Sequence, residues 1–203
     1  MPDLSYRILV WLAYRLAASV AIGLPLIILI WAAFRKEAAI VRLLSIYWKI
    51  ASLMGISILL LTDQRPIGYL TFFLSPFLMV ASVWFWVDLS EELTDLPPWR
   101  ALPFTVRLWR WSLSGFGLIF GSISYTGLEC IKGIKNTNCL PWTEKPLIIH
   151  HSTKGIFEFL FGGNWNEPVA AFIGYFALVI YTIGLLQWLL IQLPKSGRIA
   201  GGF

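Results

Sequence analysis

Apolar residues run along this chain in long blocks separated by short polar stretches, a pattern of membrane helices rather than of one-sided soluble ones. A helix crossing a hydrocarbon layer of about 30 Å needs roughly 20 mostly apolar residues. Five blocks come near that length, at about 17–34, 46–61, 67–87, 108–127 and 168–193. The second is the shortest, and Tyr47, Trp48 and Lys49 at its start have the character of interfacial anchors, so discounting it leaves four. The pattern predicts an all-α polytopic transmembrane helix bundle of about five spans, forming a single integral membrane domain over 1–203 with a long non-cytoplasmic loop at 128–167. Ahead of the first block, Arg7, Trp11 and Arg15 recur at steps of four, which places them on one face of a helical lead-in at the interface. The alternative is that Arg15 is buried in the bundle as a functional charge. The first apolar run continues through Ile30 and Trp31 without a small-residue cleavage site, so no cleaved signal peptide is predicted.

Composition agrees with this reading. Hydrophobic residues are 58% of the 203, charged residues 13%, and the mean hydropathy is +0.72, against roughly 45–50% and about 25% in soluble domains. A soluble enzyme, a disordered chain, an extended coiled coil and a collagen-like chain are all excluded as readings. The net charge is +5 and the pI about 9.4, but the basic residues are scattered between apolar runs with no block of five or more. They read as membrane-flanking positive charge, and no nucleic-acid partner is expected. With five spans one side carries Arg35, Lys36, Arg42, Lys49, Arg100, Arg107, Arg110, Lys195 and Arg198. The other carries Arg7, Arg15, Arg65, Lys132, Lys135, Lys145 and Lys154. Nine against seven, with the nine crowded at span ends, predicts a non-cytoplasmic N-terminus and a cytoplasmic C-terminus.

Cys130 and Cys139 both fall in the 128–167 segment, on the side where an oxidising compartment permits a disulfide. Free thiols or a metal or redox role are the alternatives, but there is no CxxC and no four-ligand set. The only histidines are the adjacent His150 and His151 in the same segment. A haem held between spans by two histidines, or a His-rich di-metal centre, is therefore unavailable. The pair with Glu144 or Glu158 is a weak metal alternative to plain packing histidines. Ser112, Ser114, Ser122 and Ser124 line the fourth block without a glycine two positions before Ser114 and without any histidine in a span to act as base. No phosphate-binding glycine loop occurs. No catalytic residue, cofactor or metal is assigned.

The strongest local pattern is acidic. Asp88, Glu91, Glu92 and Asp95 follow the third block at i, i+3, i+4 and i+7, one stripe of a helix that Pro97 and Pro98 end. Three readings compete: ion pairs with the basic loops (Arg35, Lys36 and Arg42; Arg100, Arg107 and Arg110), a docking face for a basic partner, or a divalent-cation site for a phosphorylated headgroup. Within the spans, Gly117 with Gly121 and Ala170 with Gly174 form small-residue pairs suited to close helix packing. Pro25 and Pro76 each remove a helical hydrogen bond and free the carbonyls of Ala21 and Phe72. Trp11, Trp31, Trp48, Trp84, Trp86, Trp109, Trp111 and Trp188 read as an aromatic belt, and the short apolar stretch 156–161 as an interfacial piece.

The stretches Arg-Leu-Leu-Ser-Ile-Tyr-Trp-Lys at 42–49, Arg-Pro-Ile-Gly-Tyr-Leu-Thr at 65–71 and Trp-Phe-Trp-Val-Asp-Leu-Ser-Glu-Glu at 84–92, followed by Leu-Pro-Pro at 96–98, carry a family likeness. With them the chain resembles an uncharacterised family of cyanobacterial multipass membrane proteins, a domain of unknown function. The resemblance implies a cyanobacterial host and its thylakoid or plasma membrane, and brings no activity or site residue. Together these features lead to the expectation of a non-enzymatic integral membrane accessory, assembly or scaffold protein. It would sit in the lipid bilayer beside a photosynthetic or respiratory membrane complex. The alternative is a small transporter or membrane enzyme acting on an ion or lipid headgroup through Arg15 or Lys49, with the acidic stripe at its mouth.

Overall fold

A computed structural model describes residues 4–97, 99–132 and 139–196, and among them every regular element is helical. The elements are α1 (Leu4–Leu16), α2 (Leu24–Arg35), α3 (Ala38–Thr62), α4 (Pro66–Trp84), α5 (Val87–Asp95), α6 (Ala101–Tyr125), α7 (Leu140–Phe161) and α8 (Glu167–Gln187). A wide π-helical turn, Ala17–Gly23, joins α1 to α2, so that Leu4–Arg35 is one continuous rod.

Among the described residues four helices are long and apolar enough to cross a membrane: Leu4–Arg35, Ala38–Thr62, Pro66–Trp84 and Glu167–Ile191. The chain is therefore a membrane protein. The 46–61 block, the weakest in the sequence, is the heart of the 25-residue α3. The 108–127 block falls in α6, equally long but made less apolar by Arg107, Arg110 and several serines.

Contacts define the two ends of the bundle. At one end the Tyr6 hydroxyl meets Thr126 Oγ1 at 2.8 Å, just past α6, and Arg7 meets Glu144 of α7 at 3.0 Å. Gly174, early in α8, packs on Leu60, late in α3. At the other end Glu37 pairs with Arg100 (3.7 Å), Arg42 with Glu92 (3.4 Å), and Trp188 lies beside Phe85 and Trp86. The α1–α2 rod, α3, α4, α6 and α8 thus run end to end in alternating directions.

The 128–167 segment, read from sequence as a loop, is mostly helix. α6 finishes and α8 begins at the same end of the bundle, so the intervening 22-residue α7 does not cross. It lies over that end. The apolar stretch 156–161 is the last turn and a half of α7 rather than a separate piece. Pro141, Pro146 and the polar run from His150 to Lys154 broke the apolar pattern that would have revealed the helix.

The core is aromatic. Tyr14, Phe72, Phe120 and Trp142 form one cluster, with ring centroids 5.3 Å apart for Tyr14–Phe72, 5.2 Å for Phe72–Phe120 and 5.8 Å for Phe72–Trp142. Tyr47 meets Trp109 edge to face at 5.0 Å. Trp109, expected in the interfacial belt, is instead buried, and its Nε1 donates to the Val20 carbonyl at 3.0 Å.

That bond belongs to a pattern. Each proline inside a helix or at its joint strips a partner from the carbonyl four residues before it, and in hydrocarbon an unbonded carbonyl is costly. Pro25 leaves Ala21, and the Tyr47 hydroxyl donates to Ala21 O at 2.7 Å. Pro76 leaves Phe72, and Ser75 Oγ donates to Phe72 O at 3.0 Å. Pro146 leaves Trp142, and the Tyr14 hydroxyl donates to Trp142 O at 2.8 Å. Small residues close the packing. A Cβ on Gly117 or Gly121 would strike Val80 or Phe77 of α4, and one on Gly174 would come within 3.1 Å of Leu60.

Tyr47→Phe is expected to destabilise the bundle by about 1–3 kcal/mol, because it leaves the Ala21 carbonyl buried and unbonded. In a Pro25→Ala background the same change is expected to cost distinctly less, since the restored N–H returns to that carbonyl. Thermal unfolding of the four proteins in detergent measures the cycle, and an equal loss in both backgrounds contradicts the assignment.

Candidate functional site

The acidic stripe lies on α5, a nine-residue helix set across the end of the bundle opposite α7. The chain turns out of α4 at Phe85 and Trp86, where Trp86 adopts an extended backbone (φ −85°, ψ 113°) and is buried at 3% exposure. The turn starts a helix with an apolar edge, Leu89 and Leu93, both buried. Leu96, again extended, ends it ahead of the prolines.

Two arginines one turn apart on α6 hold this corner. Arg107 Nη2 donates to the carbonyls of Leu93 (2.9 Å), Leu96 (3.2 Å) and Thr94 (3.4 Å), the groups at the C-terminus of α5 that have no helical partner. Arg110, 6% exposed, donates through Nη2 to the Val83 carbonyl at 2.7 Å and to Ser90 Oγ at 3.2 Å. Its guanidinium lies 4.1 Å from the centroid of the Trp84 ring. The Trp84 Nε1 donates in turn to Ser114 Oγ at 2.9 Å. The end of α4, the middle of α5 and the end of α5 are therefore pinned to one face of α6.

The sequence sets Arg107 and Arg110 opposite the carboxylates; the structure gives both to backbone carbonyls. The reason is geometric. The stripe and the Leu89–Leu93 edge are different sides of α5; α3 packs against α5, and the two α6 arginines meet its backbone and Ser90. Of the stripe, Glu92 pairs with Arg42 of α3 at 3.4 Å. Glu91, Glu92 and Asp95 are exposed, and Asp88, in the first turn where a helix favours negative charge, is half-buried. Arg35, Lys36 and Arg100 were further expected partners of the stripe; Arg100 pairs with Glu37 at 3.7 Å.

At the opposite end, Cys130 and Cys139 form a disulfide with a Cα–Cα distance of 5.8 Å, both residues buried. It ties the turn after α6 to the start of α7; residues 133–138 lie outside the described residues. Three residues beyond Cys139, Trp142 plugs the aromatic cluster, and its Nε1 donates to the Tyr6 hydroxyl at 2.9 Å. Glu144 accepts from Arg7 Nε (3.0 Å) and from Trp11 Nε1 (3.1 Å), while the Lys145 ammonium sits 3.6 Å from the Trp11 ring centroid. The Arg7–Trp11 face of α1 is thus met by α7, while Arg15 is exposed. His150 is buried and stacked on Trp165 at 5.7 Å. Glu144 and Glu158, its possible metal co-ligands by sequence, are engaged elsewhere, Glu158 with Lys154 at 3.7 Å.

Sequence reasoning located the stripe and the cysteines but missed the clamp, whose only signal was a pair of arginines three apart inside an otherwise apolar block. A family model described as a protein of unknown function (DUF3177) matches residues 7–201. No curated protein and no solved structure matches the chain.

Arg107→Gln is expected to free the last carbonyls of α5. Amide hydrogen exchange across 88–96 should then accelerate by about tenfold or more, with the interior of α6 unchanged. Unaltered exchange in that stretch means the clamp does not hold the helix.

Proposed function

We propose that this chain, which belongs to that family of proteins of unknown function, is a non-enzymatic integral membrane accessory or scaffold protein that docks a larger membrane complex through α5. The observation that carries this reading is the clamp. Three exposed carboxylates, Glu91, Glu92 and Asp95, stand on a short helix whose other side is fixed by Arg107 and Arg110. A pre-ordered charged face loses little freedom when a basic surface covers it.

Orientation and location belong to the same proposal. The Lys and Arg crowding at the α5 end supports a cytoplasmic face there and a non-cytoplasmic N-terminus. The disulfide at the α7 end fits an oxidising compartment. The family resemblance favours the thylakoid or plasma membrane of a cyanobacterium, and with it a photosynthetic or respiratory complex as partner. The transporter alternative draws less support, because Tyr14, Tyr47, Phe72, Trp109 and Phe120 fill the middle of the bundle where a substrate path would run.

Affinity purification in mild detergent tests the reading. The native chain is expected to bring down a defined membrane complex, and the Glu91→Gln, Glu92→Gln, Asp95→Asn variant to lose it by roughly tenfold or more while remaining in the membrane. A native chain that migrates alone, or a variant that retains the complex in full, contradicts the proposal.

A further inference from the structure

The connection between α2 and α3 is only two residues, Lys36 and Glu37. Lys36 takes the left-handed conformation (φ 56°), and its N–H donates to the Ala32 and Ala33 carbonyls. This tight reversal leaves an open groove beside the start of α3, lined by Ala33 and Lys36 on one side and by Ala38, Arg42, Ser45 and Lys49 on the other. The small residues make the space. The charges are of one sign: the lining carries three cations and no carboxylate.

Arg42, Ser45 and Lys49 fall at i, i+3 and i+7 on one face of α3. Arg42 and Lys49 are about 10 Å apart along the axis, but helix side chains lean toward their own N-terminus. The N-terminus of α3 is at the groove end, and Lys49 lines the same groove two turns further along that face. Glu37, on the connecting turn, is turned to Arg100 at 3.7 Å. Glu92 takes one Nη of Arg42 at 3.4 Å, and a guanidinium has five N–H donors. Ala33 continues onto the outward face of α2, where Ile27, Ile30 and Phe34 are 62%, 50% and 83% exposed. Lipid chains cover such a face in a bilayer.

We infer that this groove binds the headgroup of an anionic phospholipid. The phosphate diester lies among Lys36, Arg42 and Lys49, and the acyl chains run down the Ile27–Ile30–Phe34 strip. The position suits it, because the groove opens at the end of the spans, where headgroups sit, and the cation trio complements one phosphate with its local dipole. The groove touches the carboxylate face of α5 only through the Arg42–Glu92 pair and does not depend on the docking reading.

Thermal unfolding of the full chain in detergent, with added phosphatidylglycerol, phosphatidylcholine or inorganic phosphate, tests the inference. Phosphatidylglycerol is expected to raise the unfolding midpoint, and the other two to leave it unchanged. Lys36→Gln with Arg42→Gln and Lys49→Gln should raise the phosphatidylglycerol concentration for half effect by about tenfold or more. Lys36→Gln alone, at an exposed position, should raise it about threefold, which keeps the test decisive if the triple variant misfolds. Glu92→Gln should lower it or leave it unchanged, since it releases Arg42. Equal protection by phosphatidylcholine overturns the inference, as does equal protection by inorganic phosphate, which marks a free-anion site. An unchanged phosphatidylglycerol response in a folded triple variant, or in Lys36→Gln alone, also overturns it.

Discussion

A buried backbone carbonyl has no water to turn to, and prolines in this chain strip several such carbonyls of their helical partners. Three of these are rebonded by a hydroxyl: Ala21 by Tyr47, Phe72 by Ser75, Trp142 by Tyr14. Two of the three bonds join different elements, so the repair of a local defect also fixes tertiary arrangement. Tyr47 fastens α3 to the wide turn of the first rod, and Trp109 of α6 fastens the adjacent Val20 carbonyl of that same turn. Tyr14 fastens the rod to α7. The aromatic cluster of Tyr14, Phe72, Phe120 and Trp142 fills the space these bonds define.

The same physics governs the α5 end. A helix that turns across the mouth of a bundle exposes the last carbonyls of two helices, and Arg107 and Arg110 supply donors for both sets. The cost is a helix of reduced apolarity, since two guanidinium groups sit within α6. The return is a carboxylate face held in one orientation. At the α7 end a disulfide, a buried tryptophan and the Glu144 bonds to Arg7 and Trp11 hold the covering helix. Each end of the bundle is therefore covered by a non-crossing helix, α5 at one and α7 at the other.

Much of this was legible in the sequence because it depends on local rules. The i−4 rule alone names Ala21 and Phe72 as freed carbonyls, and the spacing of Asp88, Glu91, Glu92 and Asp95 places them on one stripe. The partners were not legible. That Tyr47 reaches Ala21 depends on how α3 packs against the π-helical turn, and Tyr47 by itself reads as an interfacial anchor. Arg107 and Arg110 look like counter-ions to the stripe, because charge is visible in a sequence while the unbonded carbonyls of a bent chain are not. The proline-freed carbonyl of Trp142 was hidden for a related reason: with Pro141, Pro146 and two histidines, 140–161 does not read as a helix until it is seen fastened to α1 and stacked on Trp165.

α5 and α7 cover opposite ends of a bundle whose main helices run end to end between them. Single cysteines introduced at Asp95 and Lys154, with Cys130 and Cys139 kept oxidised, report it directly when intact and permeabilised membrane vesicles are treated with a membrane-impermeant maleimide. One position is expected to label in intact vesicles and the other only after permeabilisation. Labelling of both from the same side would contradict it.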